Sequence, residues 1–232
     1  MSELERYLQN HFLTGAQFAA RCAIPPRELD RLLDQALAPQ PAYVVTADDV
    51  LVSPVFGCLA GDGARSGRYF HPGSAPWIST ARRVESMVGT GPARRALKEQ
   101  FVRNYSSALA EFQHQLRNRS TDDDWGDPAG FAARVETAWL DFMRGVFGVC
   151  VADPSSERAI ARKEALQETL VQLTDDGTRQ NFTASDATRI RSLVDEYARC
   201  AMPFAPQEFA RSSRRRLVDE LRPRLAQAAI RP

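Results

Sequence analysis

The chain has 232 residues, 44% of them hydrophobic and 25% charged, and its 30 basic and 29 acidic side chains leave a net charge of +1. This balance indicates one or two globular domains and argues against a general attraction to nucleic acid or to anionic membranes. The apolar runs fall far short of the ~20 residues that span a membrane, and the charged start MSELERYLQNHF lacks the apolar region of a signal peptide. We therefore expect a cytoplasmic protein.

The N-terminal region is predicted to form three short helices. Apolar residues recur at helical spacing over 4–12, and Thr14 is placed to cap a second helix. Pro25 and Pro26 mark the start of a third helix, whose leucines form one stripe: Leu29, Leu32, Leu33 and Leu37. The helix, turn and helix over 13–33 resemble the heads of MerR-like DNA-binding regulators, with 41–52 in place of their small wing.

A helix that reads DNA presents basic or amide side chains to phosphates and base edges. The outward positions of the third predicted helix are instead of mixed charge, namely Arg27, Asp30, Arg31 and Asp34. Residues 1–41 hold four arginines, no lysine and five acids, which leaves a net charge of −1. Nucleic acid is therefore not an expected partner, and a DNA-binding or ligand-sensing regulator is kept as the alternative function.

A small sheet is predicted over 41–71, the one region where apolar and polar residues alternate, as at Tyr43, Val45, Val50 and Val52. The rest of the chain is predicted to be helical, with a long amphipathic helix over 93–116 that stops in the polar residues 118–127 and a second helix that ends at Gly148. Three more helices follow at 154–173, from about 184 to 200, and at 213–228. We expect a mainly α protein, with a helix-turn-helix-like head and a small β insert over 1–90 and a helical domain over 91–232.

The cysteines are scattered, without a C-x-x-C pair or a histidine at ligand spacing: Cys22, Cys58, Cys150 and Cys200. We expect reduced, mostly buried thiols, no metal and no cofactor. A Walker loop, H-E-x-x-H and G-x-S-x-G are also absent from the sequence. The common catalytic motifs therefore name no reaction.

The densest basic cluster lies near the C-terminus and consists of Arg211, Arg214, Arg215 and Arg216. Such a run is usually a solvated face. The alternative is a clamp for a carboxylate or phosphate, which guanidinium groups bind through two parallel hydrogen bonds. Both interpretations stay open.

Several strings resemble a known family: SPVFG at 53–57, RYFHP at 68–72 followed by Trp77, RGVFGVC at 144–150, PFAP at 203–206 and SSRRRLVDELR at 212–222. Together they are similar, over 4–222, to bacterial natural-product biosynthesis proteins of undetermined function. The resemblance implies a role in specialised metabolism. It extends to Pictet-Spenglerases, which make β-carboline alkaloids from tryptophan and an aldehyde or oxo compound, and so implies a cofactor-free cyclase acting on a small-molecule substrate.

Such a ring closure needs a group for proton transfer, a cation for the amino-acid carboxylate and an apolar slot for the ring. Residues 53–85 can supply all three. The candidate catalytic residues are His71 and Glu85. The candidate substrate-binding residues are two arginines and the side chains that would wall the slot: Arg82, Arg83, Ser53, Phe56, Tyr69, Phe70 and Trp77.

Helical spacing refines the prediction for Glu85. If 75–88 is a helix, Trp77, Ala81 and Glu85 lie one above another, and an apolar setting would raise the pKa of the Glu85 carboxyl. Two alternatives stay open, since His71 could cap a loop by bonding a backbone carbonyl, and Glu85 could pair with Arg82 or lie exposed. The sequence also leaves open whether the chain forms a homodimer.

Overall fold

The structure is a computed structural model that describes residues 1–117 and 128–228. It is mainly α with a small antiparallel sheet, as predicted. The helices are α1 (Glu3–His11), α2 (Gly15–Arg21), α3 (Pro26–Asp34), α4 (Ala75–Val88), α5 (Thr90–Arg117), α6 (Pro128–Met143), α7 (Val146–Cys150), α8 (Glu157–Thr174), α9 (Ala184–Cys200), α10 (Pro206–Phe209) and α11 (Leu221–Ala228). The strands are β1 (Leu13–Thr14), β2 (Tyr43–Val45), β3 (Val50–Ser53), β4 (Gly57–Ala60) and β5 (Gly67–Phe70). The predicted loop over 118–127 lies outside the described residues.

The helices of the head begin where their capping residues predict. The Thr14 hydroxyl accepts the Gln17 N–H, and the Gln17 side chain accepts the Thr14 N–H, a reciprocal pair that starts α2. Pro26 is the first residue of α3, where its fixed φ suits a helix start. The leucine stripe of α3 is buried against the rest of the head.

The sheet has the strand order β1-β5-β2-β3-β4, and every neighbouring pair is antiparallel. Its central strand β2 places Tyr43 opposite Tyr69 of β5 and Val45 opposite Leu51 of β3, and all four side chains are buried. The edge strand β1 is only two residues long, too short to show alternation in the sequence. The sheet therefore backs onto the core through β2.

One hydrophobic core runs through the head and the helical part. Trp77 of α4 lies 4.6 Å from Phe142 of α6, and Phe142 lies 4.8 Å from Phe101 of α5, as ring centroids. These aromatics pack in the core, including Trp77, which the sequence predicts to line a substrate slot. The predicted boundary at 90/91 falls where α4 ends and α5 begins, and the core continues across it.

The predicted helix end at Gly148 is wrong. Helix α6 ends at Met143, and Gly145, with φ of +82°, separates it from α7, which contains Gly148. A Cβ at Gly145 would lie 2.5 Å from the Gln40 carbonyl oxygen, so close backbone approach requires glycine here. The sequence pattern hides this break because the apolar spacing continues across it.

The predicted helix over 213–228 is also interrupted, because a π-helical turn occupies Arg215–Asp219 before α11. Among residues 1–117 and 128–228, no helix has the length and apolar character needed to cross a bilayer.

Candidate functional site

His71 is buried, with 7% of its surface exposed, at the start of the single turn Pro72–Ser74. Its Nδ1 accepts the Gly73 N–H at 2.9 Å, so it caps a turn, through a backbone N–H rather than the carbonyl that the alternative interpretation names. Burial lowers the pKa of His71 to about 4. The negative charge of Asp153 opposes this shift, and His11 lowers the pKa slightly further. The imidazole is therefore neutral at pH 7 and its Nδ1 is occupied.

This burial predicts an acid-sensitive stability. The folded pKa of His71 lies below its unfolded value of 6.5, so the unfolded state binds the extra proton and stability falls as pH drops from 6.5 to about 4. In that window His71→Gln should flatten the slope of unfolding free energy against pH by up to about 1.4 kcal/mol per unit. Urea unfolding at half-unit pH steps measures it. The exposed His114→Gln is the control for the loss of an imidazole, and a slope in His71→Gln equal to that of wild type would contradict the prediction.

Glu85 does not sit in an apolar setting, so the predicted rise of its pKa is wrong. Its two carboxylate oxygens accept hydrogen bonds from the Arg31 guanidinium at 2.8 and 2.7 Å, and Oε1 also accepts one from Thr90. Hydrogen bonding to Arg31 lowers the pKa of the Glu85 carboxyl, and the contact joins α3 to α4. Arg31 is also paired with Glu28, so this arginine of the head is engaged in ion pairs with two glutamates.

The structure does not bring His71 and Glu85 together. Ala75 to Glu85 alone is ten residues of α4, about 15 Å of helix rise. The remaining candidates around them serve packing: the Trp77 indole N–H donates to the Pro154 carbonyl oxygen at 2.7 Å, the Tyr69 hydroxyl donates to the Arg65 carbonyl oxygen, and Phe70 stacks on Phe18. Arg82 and Arg83 are exposed.

A buried polar cluster instead connects the sequence segment 53–57 with α10, the helix that begins at the end of the segment 203–206. We name Tyr7, Tyr43, Ser53 and Glu208 the acid–tyrosine cluster; each is at most 8% exposed. The Tyr43 hydroxyl donates to Glu208 Oε2 at 2.6 Å, across 165 residues of sequence. Burial raises the pKa of Glu208, although hydrogen bonds from Ser53 and Tyr43 oppose the rise. The shift favours the neutral form of this carboxyl in comparison with an exposed one.

Aromatic contacts extend from this cluster to the surface. Phe56 meets Phe204 edge-on, with ring centroids 6.1 Å apart, and the Arg211 guanidinium lies 4.9 Å from the centre of the Phe56 ring. Ser53 is a turn-former, since its hydroxyl accepts the N–H groups of Val55 and Phe56. The structure thus places two predicted substrate-binding residues, Ser53 and Phe56, at a junction between sheet and C-terminal segment.

The described residues form a groove of about 400 Å³. We name it the arginine groove. Its wall includes Phe112 of α5, Asp153 just before α8, Arg158 and Arg162 of α8, and Arg199 and Cys200 at the end of α9. Arg158 and Arg162 are four residues apart and so share a face of α8, a signal that the sequence contains. Sequence reasoning missed the site because Phe112 and Arg199 are distant in the chain from residues 153–162.

The three arginines of the groove differ in how far they are neutralised. Arg158 makes two hydrogen bonds to Glu111, whereas Arg162 approaches Glu196 only to 3.6 Å. The Arg199 side chain has no hydrogen bond or ion pair with any residue in 1–117 or 128–228. Arg199 therefore offers the groove a guanidinium whose donors are available to an anion.

Asp153 connects the groove to His71. The position that a Cβ would take at Gly73 lies 3.0 Å from His71 Nδ1 and 3.2 Å from Asp153 Oδ1, so the two side chains flank one glycine. Asp153 Oδ1 accepts the Ser155 N–H and is itself exposed. His71 thus lies behind the wall of the groove, and the exposed carboxylate faces solvent.

The C-terminal arginines are used within the fold, which argues against the clamp. Arg214 donates to the carbonyl oxygens of Ala198 and Ala201 at the end of α9, and Arg216 pairs with Asp176. Three or more His, Cys, Asp or Glu in an arrangement that could hold a metal ion do not occur within 1–117 and 128–228. All four cysteines are free, but only Cys150 is buried and Cys58 is exposed, so the expectation of mostly buried thiols is wrong.

Comparison with known families finds one match. The sequence profile described as a family of unknown function (DUF6058) matches residues 97–226, more than half of the chain. No curated protein and no solved structure matches. The named wall residues of the arginine groove all lie within 97–226, whereas His71 and Glu85 lie outside it.

Proposed function

We propose a function for this chain, which belongs to the DUF6058 family: it is a cytoplasmic enzyme of specialised metabolism that condenses a tryptophan-like amine with an aldehyde or oxo compound in the arginine groove. The carrying observation is that one groove of about 400 Å³ combines an unpaired arginine, an aromatic ring and an exposed carboxylate. These are the three chemical needs of a Pictet-Spengler ring closure. The resemblance of the sequence strings to natural-product proteins supports the same setting.

The reaction balances without a cofactor. The amine nitrogen and the carbonyl carbon join with uptake of one proton and loss of one water, which gives an iminium ion. The indole carbon then bonds to the iminium carbon, and the proton on the attacked indole carbon leaves to restore the aromatic ring. The product mass is the sum of both substrates minus water.

Three side chains of the groove can divide these tasks. Arg199 has its donors available for the carboxylate of the amino acid. Phe112 supplies an apolar wall, and the Arg158 guanidinium lies 4.7 Å from the centre of the Phe112 ring. Asp153 is the group that accepts the indole proton. His71 is a positioning residue behind Asp153 in this scheme.

The test is an assay by mass spectrometry, in which purified protein is given tryptophan or tryptamine together with aldehydes and oxo acids. We expect Arg199→Ala to raise KM for tryptophan about tenfold or more and to spare tryptamine, because only tryptophan has the carboxylate that Arg199 holds. The control is Arg83→Ala, an exposed arginine outside the groove. Absence of product from every pair, or an effect of Arg83→Ala alone, would overturn the proposal.

A further inference from the structure

The arginine groove adjoins a second, smaller space. This side chamber has a volume of about 150 Å³ and is lined by Phe112, Gln115, Leu116, Arg162, Leu166 and Glu196. Phe112 and Arg162 line both spaces, so the chamber opens beside the groove. A ligand in the groove can therefore extend one group into the chamber.

The chamber has an apolar end and a polar rim. Leu116 and Leu166 are 5% and 2% exposed, and with Phe112 they supply fixed hydrophobic surface. A cavity of about 150 Å³ lined by Leu, Ile and Phe holds a benzene molecule. The size and lining of the chamber thus match a single aromatic ring or a short branched alkyl group.

Arg162 stands at the junction of the two spaces. Its guanidinium forms an ion pair with Glu196 at 3.6 Å, a separation too long for a hydrogen bond, so its N–H donors can still bind a second acceptor. An anion at the junction can take those donors. The junction therefore suits a carboxylate that carries its apolar group on the adjacent carbon or the one beyond.

We propose that the oxo substrate is a 2-oxo acid whose carboxylate binds Arg162 and whose compact aryl or branched alkyl group occupies the side chamber. The inference rests on the proposed function, because the groove must bind the oxo compound. It adds the class of that substrate and a residue, Gln115, that sets its selectivity. Gln115 is exposed, and its side chain bonds only to Glu111 among the described residues.

The experiment is calorimetric titration of the full chain with pyruvate and with phenylpyruvate. Wild-type protein should bind phenylpyruvate about tenfold or more tightly than pyruvate, because burying the ring removes its apolar surface from water. Gln115→Trp fills the chamber from its exposed rim, and we expect it to weaken phenylpyruvate about tenfold and pyruvate less than about twofold. His114→Trp is the matched control, since His114 is the neighbouring exposed residue and lines neither space.

The outcomes separate the two proposals. If both acids bind and Gln115→Trp leaves phenylpyruvate affinity unchanged, the chamber does not hold the ring, although the groove still binds oxo acids. If the two acids bind wild-type protein equally, the inference about substrate class also fails. If neither acid binds, the oxo-acid site in the groove is overturned, and this inference with it.

Discussion

Asp153→Asn is expected to lower kcat for product formation by about 100-fold or more, the usual effect of removing a proton-transfer group. Asparagine keeps the shape of the side chain and an oxygen that can accept the Ser155 N–H, so the loop should stay in place. Substrate binding depends on other groups, and KM should change little. Initial rates of product formation, quantified by mass spectrometry, give both parameters.

Glu85→Gln is the control for this prediction because Glu85 is the carboxylate that the sequence alone favours. Its partner Arg31 loses charge-assisted hydrogen bonds in the variant, so thermal stability should fall while kcat of the folded protein stays within about twofold. The opposite pattern, with Asp153→Asn active and Glu85→Gln inactive, would return the catalytic centre to α4.

Glu208→Ala is expected to lower the free energy of unfolding by about 3–5 kcal/mol, which is a large share of the stability of a domain. The change leaves the buried Tyr43 hydroxyl without its acceptor and opens a void beneath α10. Urea unfolding followed by far-UV circular dichroism at pH 7 measures it. A loss below about 1 kcal/mol would contradict a structural role for the acid–tyrosine cluster.

Glu208→Gln separates the charge of the carboxyl from its shape. The folded pKa of Glu208 is raised, so its contribution is fully present below the unfolded pKa and is lost as pH rises through the folded pKa. Glutamine does not ionise, so the variant does not lose this stability as pH rises. The stability of the variant relative to wild type should therefore improve as pH rises above the unfolded pKa of 4.5, and parallel curves would contradict the raised pKa of Glu208.

Much of the fold follows from local patterns in the sequence. Thr14 and Thr183 start helices through hydrogen bonds within three residues, and Pro26 does so through its fixed φ, so the sequence itself shows these three signals. Gly145 is different, because the need for glycine there comes from the Gln40 and Pro41 carbonyls, about a hundred residues away. The local sequence pattern therefore cannot reveal this close approach of the two carbonyls.

The candidate site likewise has features that the sequence shows and features that only the tertiary structure shows. Residues 53–85 look like a site because polar and aromatic residues are dense there. In the structure, however, Glu85 is hydrogen-bonded to Arg31, and the Trp77 indole N–H donates to the Pro154 carbonyl oxygen. The groove is assembled from α5, α8 and the end of α9, and none of these segments is chemically unusual alone. Only the i, i+4 spacing of Arg158 and Arg162 marks it in the sequence.

The contact between Tyr43 and Glu208 has a consequence for how the protein is made. Tyr43 leaves the ribosome 165 residues before the carboxyl that accepts its hydrogen bond. At translation rates of roughly 5–20 residues per second, the head waits on the order of 10–30 s for that partner. During this interval Tyr43 and its neighbours Tyr7 and Phe12 lack the cover of α10, and the nascent head is a surface on which chaperones can act.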